Sequence, residues 1–190
     1  MRVLLSGFEP FGDRPTNQSW AVAEKFAGEK DIDIVRLPVS YSDAHRILIN
    51  KLESSDYDLV LMMGETSSTT DSIRLERVAL NFKDAAMPDN DGLTAYDEAI
   101  VAGAPAAYFT AFPLKKIAGA LNDNGHRVKI TNSAGTFVCN HVYFNILHYL
   151  SENNQSLIAL FVHLPASTES LSEDEMRNTI KALLTEYNQR

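Results

Sequence analysis

Short apolar runs alternate with segments of helical spacing along most of the chain. The apolar runs predict five strands, at 2–6, 33–40, 58–63, 127–131 and 157–163. The run at 58–63 is apolar on both faces and ends at Gly64. A strand of that kind occupies the centre of a sheet that helices cover on both sides.

The segments between these runs carry the signals of amphipathic helices. Ser19 is a candidate N-cap for the first helix, and Ser42 or Asp43 for the second. Ser172 and Glu175 form a capping-box pattern that opens the last one. The predicted helices lie at 20–26, 43–52, 114–122, 138–150 and from 173 onward. This alternation predicts a single domain over 1–190 of the α/β class, a three-layer α/β/α sandwich around a mixed, mostly parallel sheet.

The stretch between Glu65 and Pro113 is less regular. The segment 77–82 alternates like a strand, and 88–92 has turn chemistry. The acidic residues Asp89 and Asp91 are also typical of a calcium loop, but no glutamate stands at the closing position that such a loop requires. We therefore interpret this segment as a turn.

Composition and charge restrict the function classes. The 190 residues are 45% hydrophobic and 22% charged, which is typical of globular proteins. The formal net charge is −8 and no basic cluster occurs, which argues against nucleic acid or an anionic membrane as a partner. No stretch approaches the roughly 20 apolar residues of a membrane span, and the N-terminus lacks a signal-peptide pattern. We therefore expect a cytoplasmic protein.

The chain has one cysteine, Cys139, so no internal disulfide can form. A lone cysteine is more often a small buried hydrophobic residue than a nucleophile. The segment 133–141 follows the predicted strand at 127–131, which puts Cys139 in the first turn of the next helix. A helix N-terminus favours an anion such as a thiolate, and its amide groups stabilise an oxyanion. This position therefore favours a nucleophile.

A thiol nucleophile needs a base, and the chain has five histidines. His141 lies two residues after Cys139 on the same helix, where the two side chains do not face each other. His163 ends the strand at 157–163, and we expect it at the same carboxyl edge of the sheet as Cys139. Without Cys139, a satisfied histidine at a strand end would be the preferred interpretation. With it, we predict His163 as the base.

A third group must orient the imidazole, and Glu76 is the candidate. It follows the strand that ends at Gly64, and its carboxylate would fix the histidine tautomer and stabilise the imidazolium. A surface glutamate paired with Arg74 or Arg77 is an equally good interpretation from these residues alone.

The candidate residues Glu76, Cys139 and His163 lie within four blocks of sequence. They are Ser6-Gly-Phe-Glu-Pro-Phe-Gly12 with Asn17 and Ser19-Trp20; Glu76-Arg-Val-Ala-Leu-Asn81 with Pro88-Asp-Asn90; Pro105-Ala-Ala-Tyr108; and Ser133-Ala-Gly-Thr-Phe-Val-Cys-Asn-His141 with Val162-His-Leu-Pro165. In content and order they resemble the pyroglutamyl peptidase I family, the pyrrolidone-carboxylate peptidases. The similarity covers nearly the whole chain, and the block around Cys139 is its most specific part.

The resemblance implies a cysteine peptidase that removes an N-terminal pyroglutamyl residue from a small peptide or amide substrate. The family's triad falls on Glu76, Cys139 and His163, and the family uses neither a metal nor another cofactor. Its members form homo-oligomers, so the resemblance implies a dimer or tetramer.

The resemblance also implies a substrate pocket. Phe8 and Phe11 would face the flat lactam ring, with Asn17 nearby, and we predict Phe137 as a further substrate-binding residue. Ordinary core packing is the alternative for Phe8 and Phe11.

Three positions depart from the family pattern. After Gly64 the family has a Gln-Ala-Gly-Gly-Arg loop whose glutamine helps to hold the lactam, and this chain has Glu65 there. Ala86 replaces an arginine, and Ala166 replaces an aromatic residue after His-Leu-Pro. These departures concern substrate recognition, so Glu65 is also predicted to bind substrate.

Glu65 is expected to place a negative charge near the thiolate, with no arginine at Ala86 to offset it. We therefore expect weak hydrolysis of ordinary pyroglutamyl substrates. Two alternatives stay open: a specialised amidohydrolase for a different small cyclic or acyl amide, and a catalytically weak binding protein that keeps the fold. The intact triad argues against the second alternative.

Overall fold

The computed structural model, which describes residues 1–66, 70–153 and 156–189, contains eight strands and five helices. The strands are β1 (Val3–Phe8), β2 (Ile32–Leu37), β3 (Leu59–Thr66), β4 (Ile73–Glu76), β5 (Val78–Leu80), β6 (Ala107–Phe109), β7 (Val128–Thr131) and β8 (Ile158–Pro165). The helices are α1 (Gln18–Glu24), α2 (Ala44–Ser54), α3 (Leu114–Asp123), α4 (Val138–Glu152) and α5 (Glu173–Asn188).

Six of the strands form one sheet in the order β2-β1-β3-β8-β4-β7. The first four strands in that order are parallel to one another. Strand β4 runs antiparallel to β8, and β7 runs parallel to β4. The prediction of a mixed, mostly parallel sheet is confirmed. Strands β5 and β6 pair antiparallel in a separate two-stranded sheet.

Helices cover both faces of the large sheet, because successive side chains of its central strands point to opposite sides. In β3, Leu61 and Met63 pack in the core beneath α1, α3 and α5. Val60 and Met62 of the same strand pack in the core beneath α2 and α4. The predicted three-layer sandwich is confirmed, and the apolar run at 58–63 is its central strand.

The N-caps of α5 and α1 can be compared with those predicted from the sequence. Ser172 and Glu175 form the predicted capping box, with each side chain bonded to the other residue's backbone amide. Asn17, rather than Ser19, is the N-cap of α1, and its side chain accepts a hydrogen bond from the Ser19 amide. Ser19 lies one residue inside the helix, where its hydroxyl accepts a hydrogen bond from the Phe8 amide. The Ser19 prediction was therefore wrong by two residues.

The second helix begins without a side-chain cap at its N-cap residue. Asp43 holds that position but makes no capping hydrogen bond with its side chain. The hydroxyl of Ser40 instead accepts hydrogen bonds from the amides of Ser42 and Asp43.

The segment 88–92 is a turn, as predicted. The buried carboxylate of Asp89 accepts hydrogen bonds from the backbone amides of Tyr41, Asp91 and Leu93. The side-chain amide of Asn90 donates to Glu9 Oε1 and to the carbonyl of Pro10. This turn thus fixes the loop between β1 and α1.

None of the described helices combines the length and apolar character needed to cross a membrane.

Candidate active site

Cys139 is the second residue of α4, as the sequence predicts. Phe137 is the N-cap residue and makes no side-chain capping bond, so no side chain at that position occupies the amide groups of the first turn. The next residue, Asn140, is fully buried. Its side chain accepts from the amide of Leu80 and donates to the carbonyls of Leu80 and Phe82. These bonds fix the start of the helix, and with it the thiol, against β5.

Gly64 in β3 provides the space for the sulfur. A Cβ atom built at this glycine would lie 2.8 Å from Cys139 Sγ and 2.9 Å from Cζ of Phe161. Such distances are too short for van der Waals contact, so any side chain at this position would displace the thiol or the ring.

His163 and Glu76 lie on neighbouring strands on the thiol side of the site. Gly64 and His163 are paired residues of β3 and β8, and β4 lies on the other side of β8. His163 Nδ1 lies 2.9 Å from Glu76 Oε1 and donates to it, which leaves Nε2 as the nitrogen that can interact with Cys139. Both partners are buried, with side chains 9% and 1% exposed. The carboxylate therefore holds the imidazole, and the thiol lies in the same pocket wall.

The expected reason for this proximity was wrong. Strand β7 runs antiparallel to β8, so the carboxyl ends of these strands do not share an edge. Cys139 and His163 meet because both lie on the α2/α4 face of the sheet, as does Phe161. The connection after β7 carries the chain back over that face before α4 begins.

Glu76 is oriented by two further residues. Its Oε2 accepts a hydrogen bond of 2.7 Å from Thr131 Oγ1, and its carbonyl accepts one of 3.0 Å from the hydroxyl of Tyr143. The alternative of a surface glutamate is wrong, because Glu76 is 1% exposed.

The charge state of His163 is set by competing effects. Burial lowers the pKa of this imidazole, but hydrogen bonds and charge interactions with Cys139 and Glu76 outweigh it and raise the pKa to about 9. An imidazolium between a thiol and a carboxylate is therefore stable at neutral pH.

His141 is buried outside this arrangement. Its ring packs edge-on against Tyr41 and His45, at centroid distances of 5.3 and 5.1 Å. Burial, with the nearby charges of His45 and Lys83, lowers its pKa to about 3. This agrees with the interpretation that His141 is not the base.

A pocket of about 560 Å³ opens beside the thiol. It is lined by all eight residues that the sequence singles out: Phe8, Phe11, Asn17, Glu65, Glu76, Phe137, Cys139 and His163. The structure therefore brings together every predicted site residue.

The aromatic residues of the pocket differ in their environments. Phe11 and Phe137 pack against each other, with ring centroids 6.2 Å apart and ring planes tilted by 42°. Phe8 is only 2% exposed and packs against Phe161, so it has core contacts as well as a place in the pocket wall. Asn17 uses its side chain as a helix cap and donates to the carbonyl of Glu9, so most of its polar capacity serves the loop.

Glu65 does not carry an unpaired charge. Its side chain is 2% exposed, and Arg14 Nη1 donates a hydrogen bond to its Oε1. The amide of Gln18, at the N-terminus of α1, donates to Oε2 at 2.8 Å. The expectation of an uncompensated carboxylate was wrong, because Arg14 balances the charge of Glu65. The two residues are 51 positions apart in the sequence, so no local pattern indicated the ion pair. The weak pyroglutamyl activity expected from that charge loses its physical basis.

The structure also locates other residues of the segments that depart from the family pattern. Ala86 lies in the pocket wall beside Met87, so its replacement of an arginine does concern this site. Residues 67–69 of the loop after Gly64 lie outside the described residues. Arg74, which the sequence suggested only as a partner for Glu76, is itself part of the pocket wall.

Among the described residues, no group of three or more His, Cys, Asp or Glu side chains is placed to hold a metal ion.

Comparison with known proteins shows the family of this chain. A family model described as pyroglutamyl peptidase matches residues 1–183. The chain is 38% identical over 172 residues to the pyrrolidone-carboxylate peptidase of Thermococcus kodakarensis, covering 89% of this chain and 83% of the relative. It is 39% identical over 167 residues to that of Klebsiella pneumoniae, covering 86% of this chain and 77% of the relative.

Solved structures give the same result. The pyroglutamyl peptidase I of Bacillus amyloliquefaciens matches with a TM-score of 0.93 and 29% identity, over 100% of this chain and 97% of that one. A mutant pyrrolidone carboxyl peptidase from Pyrococcus furiosus matches with a TM-score of 0.91 and 32% identity, over 100% and 99% of the two chains.

Proposed function

The chain belongs to the pyroglutamyl peptidase family, and we propose that it removes N-terminal pyroglutamate from peptides with Cys139, His163 and Glu76 as its catalytic triad. One observation carries this proposal: His163 is hydrogen-bonded to the buried carboxylate of Glu76 and lines the same aromatic pocket as the Cys139 thiol. Glu76 holds the imidazole in the tautomer that presents Nε2 to the thiol.

The first half of the reaction is acyl transfer to sulfur. The Cys139 thiolate attacks the carbonyl carbon of the pyroglutamyl residue, and the amide groups at the start of α4 stabilise the oxyanion that forms. The imidazolium of His163 donates its proton to the leaving amine as the C–N bond breaks. The products of this half are a shortened peptide and a thioester on Cys139.

The second half returns the enzyme to its starting state. Neutral His163 accepts a proton from water, whose oxygen attacks the thioester carbonyl. The C–S bond breaks, pyroglutamic acid leaves and loses its carboxyl proton to water, and the thiolate and imidazolium are restored. No other group has to change its charge.

The pocket supports a small, flat, neutral group as the substrate. Phe11 and Phe137 both line the pocket, so a flat lactam can pack against apolar ring surface there. The charge of Glu65 is balanced by Arg14, so the pocket wall at this point presents no net charge to a neutral ring.

A substrate panel tests the proposed specificity. We expect the protein to hydrolyse a chromogenic pyroglutamyl amide with a kcat/KM at least about 100-fold above those for the prolyl, glutamyl and alanyl amides. The prolyl amide is the matched comparison, because its ring has the same size but carries a positive charge and no lactam carbonyl. Equal rates on all four amides would contradict the proposal and favour a different amide substrate.

The pH dependence of kcat/KM reports the thiol–imidazole pair. The active form holds one proton between the two groups, so the profile should be bell-shaped, with limbs that belong to the pair. Its alkaline limb should lie near pH 9, where the imidazolium of His163 loses its proton. Because Glu76 helps to raise that pKa, Glu76→Gln should move the limb toward lower pH.

A histidine outside the pocket provides the control for this measurement. His126 is hydrogen-bonded to Thr179 at 3.0 Å, and His126→Gln should leave the profile unchanged. An alkaline limb that Glu76→Gln does not move would contradict the assigned role of this carboxylate.

A cytoplasmic location and a dimeric or tetrameric assembly stay predictions.

A further inference from the structure

The ion pair between Arg14 and Glu65 joins two parts of the pocket wall. Glu65 belongs to β3 and lines the pocket, whereas Arg14 belongs to the loop between β1 and α1. The guanidinium of Arg14 donates to the carboxylate and also lies over the ring of Phe11, 5.9 Å from its centroid. One cation thus contacts both a charged and an aromatic residue of the pocket wall.

The two partners differ in exposure. The Glu65 side chain is 2% exposed, whereas that of Arg14 is 44% exposed. If Arg14 is removed, the buried carboxylate keeps only the hydrogen bond from the Gln18 amide among the described residues, and none of them remains as its ion-pair partner. If Glu65 is neutralised instead, Arg14 remains partly hydrated. The charge that matters for the pocket is therefore that of Glu65, and Arg14 is the residue that cancels it.

An uncancelled carboxylate would change which ring the pocket favours. A carboxylate accepts hydrogen bonds only, so it attracts an ammonium group and repels the carbonyl oxygen of a lactam. We propose that Arg14 is a specificity-determining residue, whose positive charge cancels that of Glu65 and so makes the pocket select a neutral lactam over a cationic ring of the same size. This role rests on the proposed function, since it assumes that the lactam binds in this pocket.

The test compares two five-membered rings, neutral 2-pyrrolidinone and cationic pyrrolidine, by NMR titration at pH 7. The unmodified protein should bind 2-pyrrolidinone more tightly. In Arg14→Gln, the ratio of the two dissociation constants should shift toward pyrrolidine by at least about tenfold. Adding Glu65→Gln to this variant removes the uncancelled charge, and the ratio should return to within about threefold of the original.

The chain offers a matched control. Arg177 donates to Glu29 and lies over the ring of Phe26, at 5.2 Å from its centroid, so it repeats the contacts of Arg14 away from the pocket. Arg177→Gln should leave the ratio of dissociation constants unchanged. Arg14→Lys keeps the positive charge and should also preserve the lactam preference, which tests the proposal even if Arg14→Gln fails to fold.

The outcomes separate the two claims. If the unmodified protein prefers the lactam and Arg14→Gln keeps that preference, or if Arg14→Lys loses it, the role of Arg14 is wrong and the proposed function stands. If the unmodified protein shows no preference for the lactam, the proposed function fails and the role of Arg14 fails with it.

Discussion

Replacing Cys139 with alanine should lower kcat/KM for a pyroglutamyl amide by at least about 10⁴-fold, because no other group can form the acyl intermediate. The sulfur is the one thiol of the chain and lines the same pocket as His163. The fold should persist, since an alanine is easily accommodated in the first turn of a helix that Asn140 fixes to β5. The measurement is the hydrolysis rate under first-order conditions, with circular dichroism as the check on folding.

Cys139→Ser is the conservative companion of this variant. A hydroxyl fits the same space but gives up its proton far less readily than a thiol, so its activity should stay close to that of the alanine variant. Substantial turnover by a folded Cys139→Ala protein would show that the nucleophile lies elsewhere.

Replacing His163 with alanine should cause the second largest loss, about 10³-fold or more in kcat/KM. The imidazole stabilises the thiolate, protonates the leaving amine and activates water, so its removal affects both halves of the reaction. Alkylation of Cys139 by iodoacetamide near neutral pH should slow as well, because the thiolate loses its ion-pair partner. That second readout separates the chemical role of His163 from a purely structural one.

His126→Ala is the matched histidine control, since its ring is held by Thr179 outside the pocket. It should keep the hydrolysis rate and the alkylation rate of the unmodified protein. Glu76→Gln should fall between this control and His163→Ala, in keeping with an orienting role. A folded His163→Ala protein with nearly full activity would contradict the proposed base.

Local signals were enough to predict much of the molecule. The apolar run at 58–63 predicted a central strand, and the chain segment before α4 predicted Cys139 in its first turn. The same holds for the capping box at Ser172. In each case the signal lies within a few neighbouring residues, so it can be recognised without knowing the contacts made by distant segments.

Contacts between distant segments were not predictable in this way. The direction of β4 and β7 depends on which strand edge each one joins, and no local pattern records that choice. Thr131 orients Glu76 only because β4 and β7 place these residues in register. The hydrogen bond between Thr131 and Glu76 can be predicted only if the pairing of β4 with β7 is already known.

Glu65 illustrates the same limit for electrostatics. The sequence shows that Glu65 replaces a family glutamine. Whether this residue adds a net negative charge to the pocket depends on Arg14, which pairs with it from another loop. Gly64 was read as the end of a strand, whereas β3 continues to Thr66 and the glycine makes room for the thiol.

The most direct test of the triad is the mass of the protein after rapid acid quenching of its reaction with a pyroglutamyl aryl ester, whose good leaving group lets the acyl intermediate accumulate. We predict that one pyroglutamyl group is added to the unmodified protein, that peptide mapping locates it on Cys139, and that Cys139→Ala acquires none. A pyroglutamyl group on any other residue, or on the Cys139→Ala protein, would contradict the account.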